Sequence, residues 1–230
     1  MKYTVSESIR DNLKRDGKRY WAGDNISEYL TEEIKKQLID EATLAFEDVL
    51  DTLLIDREND PNSKGTARRL AKMYFNEIMS GRYDPAPDAT AFPNDSAERY
   101  AGMLVVRSEI KSMCSHHHQP VSGVGYIGII PGDKVIGLSK YTRIAQWCAR
   151  RGTLQEELCN DIAKEIRKAT GTKNVAVHLG LEHGCCTNRG ISAHSSLTQT
   201  TVLSGLFNEP DVKKEFFDNI QMQIGSKGPY

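Results

Sequence analysis

Two short stretches carry the side chains best suited to chemistry: Cys114-Ser115-His116-His117-His118 and Glu182-His183-Gly184-Cys185-Cys186. In Cys114-x-x-His117 a thiol and an imidazole stand close enough to chelate one ion, and Cys185 offers a third donor from a distant strand. Such a Cys2His set leaves one tetrahedral position open. That is the pattern of catalytic zinc, whose fourth ligand is a water with its pKa lowered to about 7, whereas structural zinc sites close all four places. Each stretch alone reads better as packed core or as a surface histidine run, but the pair reverses that and favours a metal. If 174–185 form a strand, Val177, Leu179, Leu181, His183 and Cys185 share one face, because side chains alternate with period two. An apolar face that ends in a histidine and a thiol is costly to bury without a partner, and a metal removes that cost.

The elements that must position these residues follow from periodicity. Segments 102–110, 122–130, 133–138, 174–185 and 196–203 are rich in Val, Ile, Leu and Thr and read as strands, with Pro131-Gly132-Asp133 as a hairpin turn between two of them. Two helices interrupt the strands. One starts at Ser139 and buries Ile144, Trp147 and Cys148; the other runs over 154–170 with Leu158, Ile162, Ile166 and Ala169 inward. Upstream, Ile34, Leu38, Ala42, Ala45, Val49 and Leu53 recur at steps of three and four, with Glu32 and Glu33 where the helix dipole favours acids. A further helix over 66–79 buries Leu70, Met73, Tyr74 and Ile78, and Gly81 ends it. Residues 1–25 show no clear period and read as a loosely ordered arm. Pro85, Pro87 and Pro93 mark 84–98 as a linker. The expected organisation is an N-terminal arm and helical part (1–83), the linker (84–98) and a strand-rich domain (99–230).

Composition bounds the class. In 230 residues, 39% are hydrophobic and 27% charged, with a net charge of -1, which fits a soluble globular protein and argues against a nucleic-acid partner. No apolar run is long enough for a membrane span, and the N-terminus lacks the apolar core of a signal peptide, so the expected location is the cytoplasm. Five cysteines there are thiols and ligands rather than disulfides. Cys148 and Cys159 fall in helices as core residues, and Cys186 points away from Cys185 if the strand continues.

Two helix starts also carry chemistry. Ser139 stands where an N-cap belongs, followed by Lys140 and Arg143, so free backbone N–H groups and two cations would face one space, a natural phosphate site, although a capped helix with solvated basic residues fits the same pattern. Thr153-Leu154-Gln155-Glu156 matches a capping box. Arg189, four residues past Cys185, adds a cation beside the candidate metal.

Over roughly 31–220 the chain resembles GTP cyclohydrolase I. Cys114-Ser115-His116-His117 resembles that family's Cys-Glu-His-His metal motif, and 135–144 (VIGLSKYTRI) its phosphate-binding segment. Gln155-Glu156-Glu157-Leu158, His183-Gly184-Cys185 and Arg189-Gly190 resemble its guanine and second metal segments; 66–74, with Arg69 and Lys72, resembles its helix before the linker. Ser115 stands in place of the family's Glu, Ala67 where Pro is common, and His118 in place of an apolar residue. The resemblance implies an α+β tunnelling fold, an antiparallel sheet with two helices on one face, assembling as a homodecamer of two stacked pentamers. It implies zinc held by Cys114, His117 and Cys185, with His116 and His183 moving protons. Ser139, Lys140, Arg143 and Arg189, helped by Arg69 and Lys72, would hold the triphosphate, and Ser139, near the ribose, is suited on chemical grounds to relay a proton. Glu156 and Gln155 would bind guanine, Glu156 from a neighbouring subunit. The implied reaction is attack on C8 of GTP by a zinc-bound water, release of formate and ring closure to 7,8-dihydroneopterin triphosphate, the entry to tetrahydrofolate and other pterins. The rival readings are another tunnelling-fold enzyme of pterin or deazaguanine metabolism and a non-catalytic zinc-stabilised module with a fourth protein ligand.

Overall fold

Alternating apolar residues in the C-terminal two thirds do pair into a sheet. The computed structural model describes residues 4–95 and 99–226; residues 1–3 of the expected arm, 96–98 of the expected linker and 227–230 at the C-terminus lie outside them. The described residues fall into two compact units, 4–85 with 150–152, and 86–95 and 99–149 with 153–226.

In the first unit, α1 (Val5–Arg15) corrects the expectation of a loose arm. Thr4 accepts from the Glu7 backbone while the Glu7 side chain accepts from the Thr4 N–H, a complete capping box. Ile9 and Leu13, one turn apart, are buried against Ile26. α2 (Glu32–Thr52) is capped by Thr31, whose hydroxyl accepts from Ile34 N–H. It buries Leu38, Ile39 and Leu50 and ties down Lys35 through Asp84 at 2.6 Å. Val49 and Leu53, expected inside, are 52% and 64% exposed. α3 (Thr66–Met73) runs into a π-helical turn, Tyr74–Ile78, and then α4 (Ser80–Tyr83), so Gly81 lies inside a helical turn rather than ending one.

In the second unit, β1 (Ala91–Pro93) pairs antiparallel with β4 (Lys134–Ile136). The turn at Pro131-Gly132-Asp133 therefore does not close a hairpin, as the strand after it leaves the main sheet. That sheet has the order β2-β3-β5-β6, all antiparallel: β2 (Leu104–Met113), β3 (Pro120–Ile129), β5 (Val175–His183) and β6 (Thr198–Leu203). One face is covered by α5 (Leu138–Ala149) and α6 (Gln155–Thr170). Val175, Val177, Leu179 and Leu181 of β5 meet Leu158, Ile162 and Ile166 of α6 there, all almost fully buried, each contributing roughly 1.5–3 kcal/mol. Cys148 and Cys159 are buried in this core, as expected. This is the α+β arrangement of a sheet with two helices on one face.

The opposite face carries α8 (Pro210–Ser226), with Phe207, Phe216 and Ile220 against Tyr126 and Ala176. Gly128 makes room for it, since a Cβ there would lie 2.7 Å from the Phe216 ring. Gly128→Ala should lower stability by about 1–3 kcal/mol through overpacking. An unchanged midpoint of thermal unfolding would show that α8 yields freely.

Candidate metal centre

The register decides what meets at one end of the sheet. Met113 pairs with Pro120 and Val121 with His183, so the end of β2, the start of β3 and the end of β5 lie side by side. The six-residue connection 114–119 is closed by Cys114 N–H donating to Gln119 C=O at 2.9 Å. Inside it, His118 takes a left-handed φ of 51° and its N–H reaches Cys114 C=O at 2.9 Å, a tight turn that leaves His116 and His117 exposed.

Cys185 does not extend β5, contrary to the expectation of one strand face. The strand stops at His183 and α7 (Gly184–Thr187) turns Cys185 toward the 114–119 connection. Gly184 allows that turn, because a Cβ on it would come 2.9 Å from the Pro120 carbonyl. The result is a cluster in which one ligand atom each from Cys114, His117 and Cys185 lies within 4.8 Å of the others. Cys186, expected to point away, has its Sγ 3.9 Å from that of Cys185.

The donor chemistry fits a zinc-type ion. Burial, and then the Cys114 and Cys186 thiols, push the Cys185 thiol up to about 11. Crowded thiols resist ionising beside one another, and a cation at their centre reverses that preference and takes them as thiolates.

His183 continues the helix-side row of β5, as alternation required. Its Nε2 is 2.7 Å from Gln155 Oε1. Burial lowers its pKa below the ordinary histidine value, and the Glu156 charge opposes the shift. Glu156 therefore acts on the histidine of its own chain. It is exposed at the start of α6, and the expected capping box is absent: Leu154 holds the cap position, and Thr153 instead donates to Glu157 at 2.8 Å. Gln155, expected against guanine, is only 4% exposed. Arg189 is exposed just past α7.

Ser139, Lys140 and Arg143 lie elsewhere. Ser139 is inside the first turn of α5 rather than at its cap. Thr142 and Ser108 hydroxyls are 2.9 Å apart, and Ser112 donates to Ala149 C=O at 2.7 Å, so α5 runs along β2 with its C-terminal end toward Cys114. Ser108 is six residues before Cys114, about 20 Å away at strand rise. Within one chain the start of α5 and the metal cluster do not meet. Among the described residues Lys140, Arg143 and Arg189 form no ion pair, so their charges remain available to an anion. Arg69 and Lys72 are exposed in the first unit, where the Arg69 guanidinium binds Asn62 C=O, Lys64 C=O and Thr66 Oγ1 at 2.8–3.1 Å.

Fold and donor set together define an α+β protein with a group of two cysteines and a histidine, Cys114, His117 and Cys185, that could hold a metal ion. Comparison with known proteins narrows this class. The chain belongs to the GTP cyclohydrolase I family, whose model matches residues 42–221. A relative from Flavobacterium johnsoniae named GTP cyclohydrolase 1 is 36% identical over 218 residues, 94% of this chain and 91% of the relative. Relatives of the same name from Aeromonas salmonicida and Yersinia enterocolitica are 38% and 39% identical, covering 75% and 73% of this chain and 79% and 76% of theirs. A solved structure described as archaeosine synthase QueF-Like in the apo form aligns with a TM-score of 0.37 at 17% identity, over 45% of this chain and 93% of that one.

Ligand removal separates the roles here. Cys185→Ser and His117→Ala should each lose bound zinc together with activity, whereas His183→Ala should keep the metal. Stoichiometric zinc in both ligand variants, measured by metal analysis, would show that the ligand set is wrong.

Proposed function

We propose that this protein is a GTP cyclohydrolase I, converting GTP to 7,8-dihydroneopterin triphosphate and formate. The observation that carries the reading is the convergence of Cys114, His117 and Cys185 in a chain of this family. When bound by these three residues, zinc supplies a Lewis acid and a water acidic enough near neutral pH to attack C8.

The chain's own residues divide the remaining work. Glu156 accepts two hydrogen bonds from the guanine N–H edge, beside His183 of the same chain. His183 and His116 hold and return protons at their ring nitrogens as the imidazole ring of GTP opens. Arg189 approaches the phosphates from the metal end. Lys140 and Arg143 hold the triphosphate, aided by Arg69 and Lys72, and the Ser139 hydroxyl relays a proton at the ribose.

Because the start of α5 stands far from its own chain's metal cluster, these phosphate-binding residues serve the cluster of a neighbouring copy. This reverses the expected sharing, in which Glu156 came from the neighbour. The sheet order leaves β2 and β6 as edges, which supports side-by-side pairing of copies into pentameric rings and a decamer of two rings. Among the described residues no helix is long and apolar enough to cross a membrane, and we place the enzyme in the cytoplasm.

Zinc-loaded protein should release formate from GTP and give a product that fluoresces after oxidation. No formate, with zinc confirmed, would overturn the reaction. Guanosine should show a kcat/KM lower by at least about a hundredfold, the worth of one or two charge-assisted hydrogen bonds. Added salt should raise KM for GTP. Equal use of guanosine and GTP would remove the triphosphate site.

A further inference from the structure

Gln155 shares no sequence neighbourhood with His183, yet the two side chains are in direct contact. The Gln155 amide nitrogen faces three acceptors: Thr198 C=O at 3.0 Å, Thr200 Oγ1 at 3.2 Å and Leu179 C=O at 3.4 Å. Two of these are backbone carbonyls of paired strands, which can only accept. Turning the amide over would set its oxygen against both of them, so the NH2 group belongs on that side and Oε1 faces His183. Oε1 only accepts. The His183 nitrogen 2.7 Å from it must therefore carry the proton.

We infer that Gln155 is a positioning residue for His183: it accepts from the ring's Nε2–H and holds the imidazole as the Nε2-protonated tautomer in one orientation, with Nδ1 as the unprotonated nitrogen. The inference rests on the proton-moving role proposed for His183. It removes the Gln155 side chain from the guanine edge, since its NH2 and its oxygen are already engaged and the residue is 4% exposed. The anchor is rigid, because the Leu179 and Thr198 carbonyls belong to the paired backbone of β5 and β6, in the Leu179–Thr200 and Leu181–Thr198 register pairs. Glu156, one residue on, remains exposed and free to touch substrate.

The test is a double-mutant cycle on the zinc-loaded enzyme. Gln155→Met keeps the length of the side chain and removes both the acceptor and the donors. It should lower kcat about 10- to 100-fold, the usual scale for losing such a supporting hydrogen bond, with KM for GTP and zinc content unchanged. In a His183→Ala background the same substitution should cause no further loss. A raised KM, or an equal further loss without His183, would overturn the proposal. A readout free of both turnover and variant folding comes from 15N-histidine NMR of the wild-type protein, with the His183 signal assigned by its absence in His183→Ala. An Nε2–H ring supports the inference and an Nδ1–H ring overturns it, whether or not GTP proves to be the substrate.

Discussion

The antiparallel register of β2, β3 and β5 is the constraint on which the rest depends. Pairing Met113 with Pro120 and Val121 with His183 levels three strand ends, and the two connections there, 114–119 and α7, bring Cys114, His117 and Cys185 together. A two-residue slip of β5 against β3 would preserve its inward face but carry Cys185 roughly 7 Å along the strand, out of coordinating range. What resists the slip is the packing of Val175, Val177, Leu179 and Leu181 against α6, together with Gly184 nested at the Pro120 carbonyl. The chemistry of the metal group is thus secured by apolar packing along the strands rather than by local bonds among its ligands.

The same geometry gives each chain two ends of different chemical character. At one lie the Cys2His group, His116, His183, Glu156 and Arg189; at the other, across the length of β2, lie Ser139, Lys140 and Arg143. A nucleoside triphosphate has the same polarity, a base at one end and several negative charges at the other. In the proposed arrangement, two copies aligned through their sheet edges would present opposite ends to one substrate, and assembly would be a condition of catalysis. The cations of α5 form no ion pair among the described residues, an arrangement suited to taking a phosphate chain without first breaking an internal bond.

Residue type and local period made much of this legible. Cys114-x-x-His117, the inward row of β5 and the buried Cys148 and Cys159 could all be read from spacing, because each depends on neighbours a few positions away. Other features depend on distant partners. The three-residue β1–β4 pairing has no local signature, and Val49 and Leu53 show the period of a buried stripe yet stand more than half exposed. Cys185 was misplaced because alternation cannot reveal where a strand stops. The contact of Gln155 with His183 spans 28 residues and left no mark in either motif. In α1 the signals were present, Thr4 with Glu7 and Ile9 with Leu13, but they sat within a polar segment whose buried partner, Ile26, lies beyond the turn.

Whether one chain's metal end works with a neighbour's α5 is measured most directly by refolding two inactive variants together. Mixed oligomers of Cys185→Ser with Arg143→Ala should regain activity, because some interfaces join an intact metal group to an intact α5. Cys185→Ser mixed with Glu156→Ala should stay inactive, as both defects lie at the same end of the chain and no metal end is whole. Recovery in the second mixture but not the first, with mixed oligomers demonstrated, would contradict the account.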